Sequence, residues 1–297
     1  MNCMALKRHF SLPAAWLFII PAAALYGFFA VLPTVQVIRY SLHDWNGISP
    51  DLEWVGLGNY EALFKDRIFW QAFINTLKWS AIIVILNVGL GLVIAAALGR
   101  IRSGRAFLQA CFMIPVVQAP ISTAVMWRWM YQPDGIINSV LNASGLHHLA
   151  VAWLGSPQLA LPAVAVAHSW STIGLCIAIF LAGLQAVDEE LYDAAKIDGA
   201  NAIQIFRYIT LPAIRPVTAV VFVLTLTSAF QAFDLIWAMT QGGPVRSSEI
   251  LSTYMFKRGA LENKYGYGAA IAVALLFIVT VAMMFYLWMR GRWEQRK

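Results

Sequence analysis

Read only for its hydrophobic and polar positions, the chain is a series of long uncharged stretches separated by short charged ones. Residues 10–38, 79–99, 106–127, 135–187, 216–233 and 265–289 contain no Asp, Glu, Lys or Arg. Each reaches or approaches the ~20 residues that a helix needs to cross a bilayer. The apolar positions are continuous rather than alternating, which predicts helices and not barrel strands. The stretch 135–187 is long enough for two spans, but its first half holds Asn138, Asn142, Ser144, Gly145, His147 and His148. Such residues suit an outer loop or an interfacial helix, so one span is expected there. Six helices follow, at about 12–37, 72–99, 106–129, 158–187, 216–240 and 268–289. Pro115 and Pro120 should kink the third. The fold class expected is all-α: a polytopic membrane protein with six transmembrane helices.

Composition agrees. Of 297 residues 60% are hydrophobic and 12% charged, against roughly 25% charged in soluble domains. The net charge of +6 is spread over loop ends and needs no nucleic-acid partner. Arg100, Arg102 and Arg105 follow the second helix, Lys7 and Arg8 precede the first, and Arg290, Arg292, Arg296 and Lys297 follow the last. By the bias of basic residues toward the inner side, both termini are expected to be cytoplasmic. Arg39, Lys65, Arg67, Lys257, Arg258 and Lys264 fall in longer outer segments, where that bias is weaker. Cys3, Cys111 and Cys176 suggest neither a disulfide nor a metal pair. The first apolar run is too long for a typical cleaved signal peptide and is expected to stay as a helix.

Between the fourth and fifth spans lies a charged insert, 188–214. Asp188, Glu189 and Glu190 suit a helix start, Gly199 a break, and Asn201 a second start, with a stop before Pro212. Ala194 and Ala195 leave a shallow surface, with Ile197, Ile203, Phe206 and Ile209 as apolar knobs. Five acids (Asp188, Glu189, Glu190, Asp193, Asp198) stand against Lys196, Arg207 and, just past the end, Arg215. A docking element for a complementary partner and an amphipathic helix at the membrane surface both fit.

The pattern Asp193-Ala194-Ala195, Asp198-Gly199-Ala200 and Ile209-x-Leu211-Pro212 resembles the "EAA loop" of ABC importer permease subunits. "VGLGNYEALFKDRIFWQAFINTL" (55–77) and "FQAFDLIWAMTQGGP" (230–244) are similar to the carbohydrate-type permeases of the maltose and glycerol-phosphate systems. The resemblance implies a cytoplasmic helix-turn-helix coupling insert, with Asp193 in place of the usual glutamate, Ala194 and Ala195 allowing close approach and Gly199 making the bend. Asp198, Ile209, Leu211 and Pro212 complete the motif. It also implies a transport domain over 72–290, preceded by a tail, first helix and outer segment (1–71) and followed by a tail (291–297). Expected partners are a second homologous permease, two ATPase subunits, an extracytoplasmic solute-binding protein, a carbohydrate and the lipid of the inner membrane. No cofactor, metal or catalytic residue is implied. The chain contains no G-x-x-x-x-G-K-[ST] phosphate loop, so ATP would be hydrolysed by another subunit.

For the solute path, Thr227, Gln231 and Asp234 are spaced to share a helical face, beside Phe230, Phe233 and Trp237. An acid near a membrane interior is a candidate by default, and polar groups beside rings suit a sugar; the bland alternative is a shallow Asp234 with packing aromatics. In the fourth span, His168, Ser169, Ser171 and Thr172 suit interhelical bonds, while Trp170 is a solute-contact candidate. Asn75, Asn87, Gln109 and Gln118 suit helix contacts, and Trp127-Arg128-Trp129 an interfacial anchor. An ion-coupled carrier would need midmembrane acids, for which Asp234 is the lone candidate. A membrane enzyme has no H-E-x-x-H motif or nucleophile arrangement to support it.

Overall fold

The computed structural model describes residues 12–101 and 103–294. Expectations placed on Cys3, Lys7, Arg8, Arg102, Arg296 and Lys297 lie outside the described residues. The chain forms helices α1 (12–41), α2 (Gly58–Lys65), α3 (Arg67–Gly99), α4 (Arg105–Val117), α5 (Pro120–Met130), α6 (Ile136–Ala143), α7 (Ala160–Gln185), α8 (Glu189–Ile197), α9 (Ala202–Ala213), α10 (Arg215–Gln231), α11 (Asp234–Thr240), α12 (251–261) and α13 (Tyr265–Glu294). Four of these are long and apolar enough to span a membrane, or up to six spans when α4 with α5 and α9 with α10 are each counted as one bent span. A two-residue antiparallel pairing, His43 opposite Trp54 and Asp44 opposite Glu53, ties down the segment after α1.

Three expectations are sharpened or corrected. The third span bends where Pro115 and Pro120 predict a kink, but nearly to a right angle, 102° between α4 and α5. Pro115 lacks an N–H, and Ala119, forced out of the helical region by Pro120, is extended (ψ 138°), so two close prolines end one helix and start another. Gly174 of α7 makes room for this corner, because a Cβ there would lie 2.0 Å from the Phe112 carbonyl oxygen. Second, the fifth span does not run to 240: Ala232 (ψ 124°) and Phe233 (φ −141°) leave the helical region between α10 and α11. Third, the second helix of the insert does not stop before Pro212. A π-helical turn at Phe206–Thr210 precedes it, so the proline falls at the start of a new turn and the helix continues to Ala213.

Packing falls into three groups. Trp79, Ile83, Trp127, Tyr131, Val164, Ala229 and Ile236 fill one end of the bundle. Leu92, Ala95, Ile177, Phe180, Ile214 and Val221 fill the end nearer the insert. Leu63, Phe69, Leu251, Tyr254 and Ile271 join α2, α3, α12 and α13. Small residues set the close approaches: a Cβ on Gly91 would touch Cys176 and Ile173, and one on Gly183 would press into Val217. The described outward face of α1 is largely apolar, with Phe28, Phe29 and Val35 exposed and Thr34, Gln36 and Arg39 exposed toward its end. Trp127 departs from the interfacial-anchor expectation: it is buried, and only Trp129 of that trio's two aromatics is exposed.

Candidate functional site

Trp79 organises the interior. It is fully buried in α3, its Nε1 donates to the Ala229 carbonyl (3.0 Å), and its ring lies 5.3 Å from that of His168. One residue thereby holds α3, α7 and α10 at one depth. The break beyond Ala229 frees backbone groups that lipid could not satisfy. Trp79 donates to the Ala229 carbonyl, and the Ser252 hydroxyl donates to that of Ala232, three residues on (2.5 Å). A discontinuous helix is stable here because protein side chains replace the missing turn.

The break decides where the proposed path residues sit. Thr227, Gln231 and Asp234 share no continuous face: Gln231 ends α10, and Asp234 begins α11 on the far side of the break. Both are exposed, whereas Phe230 is 5% exposed and belongs to the core. The Thr227 hydroxyl donates to the Val223 carbonyl of its own helix (2.8 Å). Phe233 stacks on Trp237 (5.7 Å), and Phe256 of α12 packs against both (5.1 and 5.0 Å). Trp170 is half-buried and meets Trp127 edge-on at 5.8 Å.

Sequence reasoning missed the neighbouring unused polar atoms. Nε2 of His168, Oγ of Ser169 and Nε1 of Trp127 are buried without a hydrogen-bond partner among the described residues. Buried polar groups are nearly always paired, so each of these three atoms is free to bond a ligand or water. The signal was present in the H-S-W-S-T run, read as interhelical glue. Part of that reading holds: Asn87, in a π-helical turn of α3, donates to Thr172 (2.9 Å), whose hydroxyl donates to the His168 carbonyl (2.9 Å). Asn75 instead serves a loop, donating to the carbonyls of Arg246 (3.1 Å) and Glu249 (3.0 Å).

The insert is built as two capped helices at the opposite end from that loop. Asp188 Oδ1 accepts from the Glu190 amide (3.0 Å) to start α8. Gly199 ends it with φ +78°, the left-handed turn that costs glycine least. Asn201 and Gln204 form a reciprocal capping box that starts α9. Ala195 is 9% exposed, while Ala194, Asp198 and Gly199 are exposed and Ile197 and Ile203 protrude at 87% and 78%. Leu211 is exposed, Ile209 and Pro212 half-buried. Asp193 pairs within its helix with Lys196 (2.8 Å), a solvent-exposed contact of small worth.

At the other end, Asp66 fastens α3 to α12 and α13. Its Oδ2 accepts from the hydroxyls of Tyr254 and Tyr267 and from Arg258, while Oδ1 accepts from the Ile68 amide (2.8 Å). Burial raises the carboxyl pKa, but these donors and the guanidinium charge together outweigh it, and Asp66 stays below the usual carboxylate range. Burial, then the bond to Asp66, pushes the Tyr254 phenol up to about 12.

Comparison with known proteins agrees with this architecture. Residues 87–296 match the family of binding-protein-dependent transport system inner membrane components. A probable ABC transporter permease protein of Pyrococcus horikoshii is 35% identical over 98% of this chain and 100% of its own length. The trehalose/maltose transport system permease protein MalF of Thermococcus litoralis is 34% identical over 92% of each chain. The fold is that of a bacterial alginate ABC transporter solved in complex with an alginate pentasaccharide-bound periplasmic protein: TM-score 0.80, 22% identity, 94% of each chain covered. The chain therefore belongs to the binding-protein-dependent transport system inner membrane components, the permease subunits of ABC transporters.

Proposed function

We propose that this permease carries a sugar or sugar-like solute, that its transport domain covers residues 72–290, and that it works with a second related permease, two cytoplasmic ATPase subunits and an extracytoplasmic solute-binding protein. Both termini and the 188–214 insert lie on the cytoplasmic side. The observation that carries the reading is the pairing, in one chain, of a broken span with exposed Gln231 and Asp234 and a capped helical insert with protruding Ile197 and Ile203.

ATP binding closes the ATPase pair, a groove on the ATPase drags the insert seated in it, and α9 transmits the motion through the 71° corner at Ile214 into α10. Ile214 is fully buried in the lower core, so the corner moves as part of a packed unit rather than as a loose loop. Asp193, Ala194, Asp198 and Gly199 contribute the contact surface; Ala195, Ile209, Leu211 and Pro212 hold its shape. The path exposes Gln231 and Asp234 to solute hydroxyls, with Trp170 as the ring platform and His168, Ser169 and Trp127 as unused donors and acceptors beside it. Thr227 and Phe230 support this wall from within α10.

The test is uptake of radiolabelled maltose, trehalose and diacetylchitobiose into proteoliposomes holding the complex of co-encoded subunits. ATP-dependent accumulation of one of them that collapses in the Asp234→Leu variant supports the reading. Uptake driven by a proton or sodium gradient without ATP would contradict it.

A further inference from the structure

The face of α3 that meets the broken span carries a polar edge outside the path just described. Gln71, Asn75 and Lys78 follow one another at spacings of four and three, which places them in one stripe. Gln71 donates Nε2 to the Arg246 carbonyl (3.2 Å), and Asn75 donates to the carbonyls of Arg246 and Glu249. These contacts turn the stripe toward the loop that follows α11. Lys78, next below, is exposed and lies within 4.0 Å of no carboxylate among the described residues.

Its depth follows from its neighbour. Trp79 contacts His168 and the Ala229 carbonyl, and His168 stands near the middle of the 26-residue span α7, about 7 Å from its midpoint at 1.5 Å per residue. Lys78 is therefore near the level of Ala229, two residues before the exposed Gln231 that ends α10. A lysine at such depth without an acid is costly in lipid, and such residues face a cavity or a partner group.

We propose that Lys78 lines the solute path. Its ammonium has three donors and no acceptor, whereas the Asp234 carboxylate only accepts. Together they suit a solute rich in hydroxyl oxygens, each of which both donates and accepts. This rests on the permease path described above.

The experiment uses the Lys78→Cys variant in a chain whose Cys3, Cys111 and Cys176 are replaced by alanine, assembled with its co-encoded partners in proteoliposomes. The water-soluble reagent MTSET and the lipid-soluble N-cyclohexylmaleimide are compared, in the resting and the vanadate-trapped complex. Reaction with MTSET at a rate that differs at least fivefold between the two states is expected. Reaction with the maleimide alone would make Lys78 a lipid-facing residue; protection from both reagents in the complex but not in the isolated chain would make it a subunit contact; an MTSET rate equal in both states would put it on the static outer surface. Each of these overturns the proposal while leaving the permease reading intact. A complex that hydrolyses ATP but never responds to vanadate trapping with any change in the insert would count against the permease reading beneath it.

Discussion

Removing the Ser252 hydroxyl should weaken the break that positions Gln231 and Asp234. Ser252 and Ala232 are 7% and 8% exposed, and their 2.5 Å hydrogen bond satisfies the Ala232 carbonyl at the break. Ser252→Ala deletes one oxygen and leaves almost no cavity, so the effect is that of an orphaned buried carbonyl, about 1–3 kcal/mol. For a chain of this size each kcal/mol moves the melting temperature by roughly 2–4 °C, giving an expected fall of about 2–12 °C. The assay is thermal unfolding of the assembled complex in nanodiscs, read by tryptophan fluorescence. Thr280→Ala is the control, because Thr280 donates to the Leu276 carbonyl of its own exposed helix turn, and its loss should cost under about 0.5 kcal/mol. Trp79→Phe removes the neighbouring cap on Ala229, and its effect should be non-additive with Ser252→Ala because both hold one short segment. If Ser252→Ala and Thr280→Ala melt together, the break is not held by this bond and the account of the path loses its scaffold.

Gly174→Ala should impair folding by about 1–3 kcal/mol or more, since the new methyl would sit 2.0 Å from a backbone oxygen, while Gly89→Ala, with nothing within 4 Å, should be neutral in the same melt. The Asp66 clasp has a definite pH window. Asp66, depressed below its ordinary 3.8, contributes stability that is present above that value and lost as pH falls through its folded pKa. Tyr254, raised from 10.0 to about 12, contributes stability that is present below 10 and lost as pH rises toward 12. The melting difference between wild type and Asp66→Asn should therefore be flat from about pH 5 to 9 and shrink at both extremes; a slope through neutral pH would contradict the clasp. Gly199→Ala forces a methyl-bearing residue to φ +78°, costing about 1 kcal/mol, and should lower solute-stimulated ATP hydrolysis in the complex more than it lowers unstimulated hydrolysis.

The spans were legible because burial in lipid demands long uncharged runs, and the insert because charge, caps and a glycine sit between two such runs. What was not legible depends on tertiary partners. Nothing local to 216–240 signals a break at Ala232; it exists because Trp79 and Ser252, about 150 and 20 residues away in sequence, bond its freed carbonyls. The shared face of Thr227, Gln231 and Asp234 followed from an unbroken helix and fell with it. Pro115 and Pro120 announced a disturbance, but its size depends on whether a neighbour can accept the corner, and Gly174 lies in another span. Pro212 looked like a stop because a π-helical turn, which resets the hydrogen-bond frame before it, has no local signature. Lys78 does not stand out in the sequence because the uncharged run begins only at Trp79, whereas the helix starts at Arg67. Ala194 and Ala195 look alike in sequence, and only packing turns the second inward.

The central claim is that the exposed crest of the insert transmits the motion of an ATPase. The most direct measurement is disulfide formation between a cysteine at Ile197, in the cysteine-free chain, and single cysteines along the groove of the co-encoded ATPase. Ile197 is 87% exposed, so the substitution leaves the insert's own packing intact. A crosslink whose yield changes with ATP is the predicted result. Absence of any crosslink in a correctly assembled complex, together with labelling of the same cysteine by a lipid-soluble reagent, would make the insert a membrane-surface helix and contradict the account.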